Sequence, residues 1–263
     1  MSIFSADGVY SFLDPALSGR LYITAVDVTG STNDDIKVLA AGGAPEGEVI
    51  IAGEQTAGKG RLGRSFYSPK DAGIYMSVLL RPKTGSGDAL AITTAAGAAV
   101  ACALDEVCGT DAGIKWVNDI YIAGRKVCGI LTESSLSADG SVKYAVLGIG
   151  VNVTDRGFPE DIKNKAGAVG ADISLRPCIA AKILERFFGY YDSFPSRLYM
   201  DEYRRRSVLT GKTIEYERGG KLYTARVEGI DDNALLIVRG EDGNVNYLSS
   251  GEVNIKGTSK NPI

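Results

Sequence analysis

Seven consecutive residues, Gly58-Lys59-Gly60-Arg61-Leu62-Gly63-Arg64, hold three cations and three glycines with no acid among them. Glycines let backbone N–H groups converge on an anion, and the cations neutralise it. The order of a Walker loop is absent, and a solvated charged turn would use the same residue types. The segment has little apolar weight, so it is expected to stay mobile until an anion orders it. A second candidate is Lys115-Trp116-Val117-Asn118-Asp119, which holds the chain's single tryptophan. A lysine leaving a sheet beside an aromatic wall can serve as a fixed charge for a phosphate. Taken alone, a plain strand-edge lysine next to a core tryptophan is the favoured reading. Asn118 and Asp119 suit a turn, or the orientation of a metal-bound phosphate. Third, Gly148-Ile149-Gly150-Val151-Asn152-Val153 sets glycines inside an apolar strand, which implies close backbone approach. Asn152 there needs hydrogen-bond partners if buried, and structure or ligand could supply them. Together the three segments point to an anion-handling site, phosphate or nucleotide, on a mixed α/β scaffold. The residues alone name neither an acceptor nor a small substrate.

Composition narrows the chemistry. The 263 residues include no histidine, which removes Ser-His-Asp triads, Cys-His dyads and His-ligated zinc. The net charge of −3 excludes a basic envelope for duplex DNA or an anionic membrane, though not a local basic patch. The four cysteines, at 102, 108, 128 and 178, form no CxxC pair, so neither a zinc knuckle nor a thioredoxin motif is expected, and no metal-ligating residue is put forward. Cys102 and Cys108 read as buried free thiols. The N-terminus has no basic region and carries Asp7 and Asp14, unlike a signal peptide. The most apolar stretch, residues 95–104, is too short to span a bilayer. A cytoplasmic protein is expected.

Elements must position these residues. Residues 21–28, 49–52, 74–80, 113–116, 119–122, 126–133 and 144–153 read as strands. Ser31 and Asp34 fit a capping box that opens a short helix closed by Gly42 and Gly43. Longer helices are expected over 88–107, 174–191 and 195–206. Beyond Gly211, short strands at 213–217, 222–230, 234–239, 244–248 and 252–256 alternate with turn residues, as in a small all-β unit. The expected division is a catalytic domain over 1–208 and a small β domain over 209–263. A unit of that size is marginal alone and is expected to pack on the larger one.

At these residues the chain resembles the biotin protein ligases. The family's glycine-rich block is similar to AGKGRLGRSFYSP (57–69), and its Lys-Trp-Pro-Asn-Asp block to KWVND (115–119). KVCGILTE (126–133), GIGVNV (148–153), STND (31–34) and the C-terminal GKTIEYE to SSGEVNI (211–255) follow the family's order. The resemblance implies an α+β fold: a mixed β-sheet flanked by helices, like the catalytic domain of class II aminoacyl-tRNA synthetases, with a C-terminal SH3-like β-barrel. It implies an ATP-dependent, AMP-forming ligase using biotin, ATP and Mg²⁺. Biotinoyl-5′-AMP forms first, and the biotinoyl group then passes to a lysine of a biotin carboxyl carrier domain of a carboxylase. Ser31, Thr32, Asn33 and Gln55 resemble the contacts to the biotin head. Gly58, Lys59, Gly60 and Arg61 resemble the loop that folds over biotin and the adenylate, and Gly129 the glycine that admits biotin. Lys115, with Arg61, looks like the catalytic pair, and Arg61, Arg64, Phe66, Lys115, Asn118 and Asn152 like the ATP side. Phe66 would offer a stacking face. The family usually has Arg at Lys59, Trp at Phe66, Pro at Val117, and Gly or Ala at Cys128. Some members begin with a DNA-binding domain; with about 20 residues before the first expected strand, no repressor function is expected here. A homodimer is left open, through an exposed strand. Two alternatives stand beside the ligase: a lipoate or octanoate ligase or transferase of similar fold, with Cys128 as the candidate thiol, and a vitamin-binding module without turnover.

Overall fold

A computed structural model describes residues 4–82, 88–194 and 196–257. Two short helices open it, α1 (Ala6–Tyr10) and α2 (Pro15–Ser18), capped by the Ser5 and Asp14 side chains. They are too brief to leave a periodic pattern, and the sequence predicts nothing there. The chain continues through β1 (Tyr22–Thr29), α3 (Thr32–Ala41), β2 (Glu48–Gln55), β3 (Gly73–Leu80) and α4 (Asp88–Cys108). Then come β4 (Gly113–Lys115), β5 (Asp119–Ile122), β6 (Arg125–Leu136), β7 (Val142–Asn152), α5 (Arg176–Tyr191) and α6 (Met200–Arg205). The seven strands form one mixed sheet in the order β1-β2-β3-β7-β6-β5-β4. β1 and β2 are parallel and every other pair is antiparallel.

Strand alternation splits this sheet between two cores. Val49, Ile51, Val78, Leu80 and Leu147 join the large core with α4 and α5. Ile50, Leu79 and Val146, one residue out of phase, meet Ile36 and Ala40 of α3. The sheet is thus flanked by helices on both faces, as the resemblance implies. Helix α4 corrects the reading of residues 95–104 in isolation. Ala89–Cys108 is long and apolar enough to cross a membrane, but 72% of its apolar window is buried inside the fold. Its small side chains let α5 and α6 close over it; Gly97 would place a Cβ 3.3 Å from the Tyr203 ring.

Strands β8 (Thr213–Arg218), β9 (Lys221–Ile230), β10 (Leu236–Gly240), β11 (Val245–Leu248) and β12 (Val253–Ile255) form the antiparallel C-terminal sheet. Its core residues Ile214, Val227 and Val238 are continuous with the large core. Trp116 Nε1 donates to the Ala234 carbonyl at 2.8 Å, and Arg204 Nε to that of Ile230 at 2.9 Å. Val208 N–H bonds Ile114 at 3.0 Å, so the chain is still attached to β4 where the domain boundary was expected.

Two local expectations change. The helix expected from 195 starts at Met200. Ser31 is the N-cap of α3, but its side chain makes no capping bond. The Thr32 N–H is taken by Gln55 Oε1 at 2.9 Å instead, and Asp34 turns away to Lys59 and Lys37.

Candidate active site

The site lies on the α3 face of the sheet, where side chains are missing. A Cβ at Gly148 would stand 2.2 Å from Asn33 Oδ1, and one at Gly150 would stand 2.5 Å from Phe66 Cε1. Gly129 pairs with Gly150 across β6 and β7, and its Cβ would stand 3.1 Å from Phe66 Cε2. Bare backbone therefore admits the start of α3 and the Phe66 ring, which rests on this glycine floor.

Residues 58–66 cross above as a closed hairpin. Phe66 N–H donates to the Gly58 carbonyl at 2.8 Å, and Gly60 N–H to that of Arg64 at 2.7 Å. Leu62 and Gly63 turn the tip at φ 57° and 77°. Backbone pairing thus folds the segment back on itself, which its glycines and cations do not reveal in the sequence. Each hairpin cation already has a partner. Lys59 Nζ meets Asp34 Oδ1 at 2.5 Å, Arg61 donates to Asn118 Oδ1 at 2.8 Å, and Arg64 grips both oxygens of Glu252 on the C-terminal domain. Those hydrogen bonds hold the Asp34 and Glu252 carboxyls below their ordinary range, the Lys59 bond leading for one and the Arg64 bond for the other.

Lys115 stands at the end of β4 on the opposite wall. It is half-buried, with Nζ 5.9 Å from the centre of the Tyr121 ring, and among the described residues it forms no ion pair. Burial pushes its pKa down, against the pull of Asp119 and Glu252. Lys126 meets Asp119 beside it at 2.7 Å. Trp116 is a core tryptophan, 4% exposed, as the plain reading held. Its neighbour Lys115 nevertheless faces the cleft.

At the other end a polar chain starts outside the cleft. Glu133 takes Lys37 Nζ at 2.7 Å on one oxygen and Asn33 Nδ2 at 2.8 Å on the other. Ser77 Oγ donates to Asn33 Oδ1 at 2.6 Å and lies 2.7 Å from Thr32 Oγ1. Thr32 Oγ1 is also 3.0 Å from Gln55 Oε1, and Gln55 Nε2 donates to Ser68 Oγ at 2.9 Å.

These walls enclose about 140 Å³ of solvent-reachable space. Every site residue that the ligase resemblance implies lines it except two. Gly58 faces away, where a Cβ would strike the Phe66 carbonyl at 2.4 Å. Asn152 is buried and donates to the Gly167 carbonyl at 3.0 Å, the structural answer to its need for partners. Lys126 and Glu252 line the cleft without having been singled out. Nothing in the sequence ties Glu252 to Arg64, 188 residues earlier. Cys128 is fully buried on the α4 face, opposite to Gly129, and burial pushes its thiol far up. Among the described residues no three potential metal ligands cluster.

Comparison with known proteins follows the same geography. Residues 26–152 match the Biotin/lipoate A/B protein ligase family, and residues 210–255 the Biotin protein ligase C terminal domain. The biotin–(acetyl-CoA-carboxylase) ligase of Mycobacterium tuberculosis is 33% identical over 90% of either chain. That of Paracoccus denitrificans is 34% identical over 82% of this chain and 93% of its own. The chain belongs to the biotin protein ligase family. The bifunctional ligase/repressor BirA of Bacillus subtilis is 32% identical over 82% of this chain and 69% of its own. A solved biotin protein ligase from Aquifex aeolicus, in complex with biotin and ATP, has a TM-score of 0.74 and 26% identity. It covers 89% of this chain and 98% of its own. The family's two modules thus correspond to the mixed sheet and the C-terminal sheet, and the cleft lies where they meet.

Proposed function

We propose that this chain activates biotin with ATP and passes it to a lysine of a biotin carboxyl carrier domain in the cytoplasm. A biotin carboxylate oxygen attacks the α-phosphorus of ATP. The bond to the bridging oxygen breaks, pyrophosphate leaves with that electron pair, and biotinoyl-5′-AMP remains. The neutral ε-amine of the carrier lysine then attacks the acyl carbon. AMP leaves as the amide forms, and the amine loses a proton.

The first step drives an anion against a polyanion, so preorganised cations are its main requirement. The observation that carries the reading is Lys115, half-buried and without an ion-pair partner among the described residues, across the cleft from the Lys59, Arg61 and Arg64 hairpin. It supplies a fixed charge where the carboxylate and α-phosphate would meet. The hairpin cations would exchange Asp34, Asn118 and Glu252 for ligand oxygens. Ser31, Thr32 and Gln55 suit the ureido head, and Phe66 on its glycine floor offers an aromatic face to the nucleotide. Magnesium fits as a companion of the triphosphate. The cleft carboxylates Asp119 and Glu252 are both ion-paired, with Lys126 and Arg64 respectively, so the ion would be held chiefly by the triphosphate. When bound, the ion neutralises phosphate charge.

The test is protein, biotin, MgATP and a carrier domain; no covalent biotin on the carrier rejects the reading. The thiol-dependent octanoyl alternative loses its nucleophile, because Cys128 is fully buried on the far face of the sheet. The reading assigns no repressor role, and specific binding to duplex DNA would refute that part.

A further inference from the structure

Glu133 lines no part of the cleft, yet the hydrogen-bond chain that ends at Thr32 begins on it. A carboxylate only accepts, so it turns the Asn33 amide nitrogen toward itself and the Asn33 oxygen toward Ser77. An amide oxygen also only accepts, which commits the Ser77 proton. Ser77 Oγ therefore has lone pairs alone for Thr32, at 2.7 Å. Gln55 Oε1, 3.0 Å away, likewise has only lone pairs, since its nitrogen faces Ser68. Thr32 holds one hydroxyl proton and two acceptors claim it. Thr32, Ser77 and Gln55 are one proton short, at the wall of the cleft where Thr32 and Gln55 lie.

We infer that Glu133 is a specificity-determining positioning residue: by orienting Asn33 and Ser77 it makes this end of the cleft acceptor-rich, selecting a head group that donates N–H. The inference rests on the proposed function and deepens it, because a cyclic urea carries N–H donors whereas a dithiolane or an alkyl chain carries none. Lys37 completes the device. Its ammonium only donates and occupies the other Glu133 oxygen.

That arrangement yields a test that simple structural support does not reproduce. In Glu133→Gln, Lys37 retains the carbonyl oxygen and the new amide nitrogen faces Asn33. Asn33 must flip and donate to Ser77, the Ser77 proton moves to Thr32 and the Thr32 proton to Gln55, and the shortage is gone. Removing Lys37 as well frees the introduced amide to turn its oxygen to Asn33, which restores the original polarity. Titration calorimetry with biotin is expected to show Glu133→Gln weakened about five- to tenfold, the scale of one net hydrogen bond. Glu133→Asp and the double variant Lys37→Met/Glu133→Gln should lie within about threefold of the unmodified protein. The KM for biotin should rise in Glu133→Gln while that for ATP does not. Equal biotin affinity in Glu133→Gln and the unmodified protein overturns the inference alone, as does a double variant no better than Glu133→Gln. An unmodified protein that ignores biotin overturns the proposed function and this inference with it.

Discussion

Replacing Lys115 with methionine separates stability from chemistry, with opposite signs. Methionine keeps most of the stem's volume and removes the charge. An ammonium about 4 Å from a phosphate oxygen is worth about 4 kcal/mol at an effective dielectric of about 20. Loss of one preorganised transition-state donor typically costs about 2.7–4 kcal/mol, or about 10²–10³ in rate. The two routes agree, so biotin-dependent pyrophosphate release is expected to fall by about 10²–10³ in Lys115→Met. Stability responds differently because Lys115 is half-buried without an ion-pair partner among the described residues, and burial depresses its pKa below the ordinary 10.5. Between the depressed value and 10.5 the unfolded chain binds this proton more tightly than the folded one. The unmodified protein therefore gains stability as pH rises through that window. The charged group costs the fold most below the window, so Lys115→Met should match or exceed the unmodified melting midpoint at neutral pH. The variant's advantage should fade toward alkaline pH. Pyrophosphate release and thermal melting at several pH values test both halves. A fall in release of less than about tenfold, or a clear loss of stability at neutral pH, refutes the reasoning.

Other substitutions probe other parts of the site. Arg61→Ala removes the hairpin's bond to Asn118 and a cation from the cleft; biotinoyl-AMP should leave faster than from the unmodified protein, as measured by filter binding of labelled adenylate. Gly148→Ala would set a Cβ 2.2 Å from Asn33 Oδ1 and break a buried polar contact, with an expected loss of about 1–3 kcal/mol in urea unfolding and weaker biotin binding. Hydrogen bonds from Arg205 and then Arg206 hold Glu202 down at about 2. Its stabilisation is present above the unfolded value near 4.5 and lost as pH falls toward 2, so Glu202→Gln should flatten the acid limb of a stability–pH curve.

Strands whose residues alternate or run apolar, such as 74–80 and 144–153, are legible in the sequence because burial on the sheet dictates their composition. The cationic glycine segment and the Lys-Trp pair are legible only together and through their place in the family's order of blocks, since a charged turn or a strand-edge lysine would use the same residue types singly. Other parts are settled by tertiary partners. Ser31 has the right type for a cap, yet Gln55, from another strand, satisfies the helix N-terminus first. Asn152 matches a family block, but its amide is spent on Gly167. Glu252 enters the cleft only because the C-terminal sheet docks there, a fact about folding at long range. Glu133 belongs to a quoted block, and its influence appears only when proton directions are followed through four other side chains.

The single tryptophan anchors its indole to the peptide oxygen of residue 234, in a bend with φ of +63°. The strand bearing Lys115 is therefore splinted from outside its own sheet. Cutting the polypeptide after the mixed sheet would strand that indole nitrogen and slacken the neighbouring lysine, even though no lining group of the mixed sheet had been removed. A transplanted C-terminal module would succeed or fail less by its surface than by whether its second hairpin delivers one carbonyl to that ring.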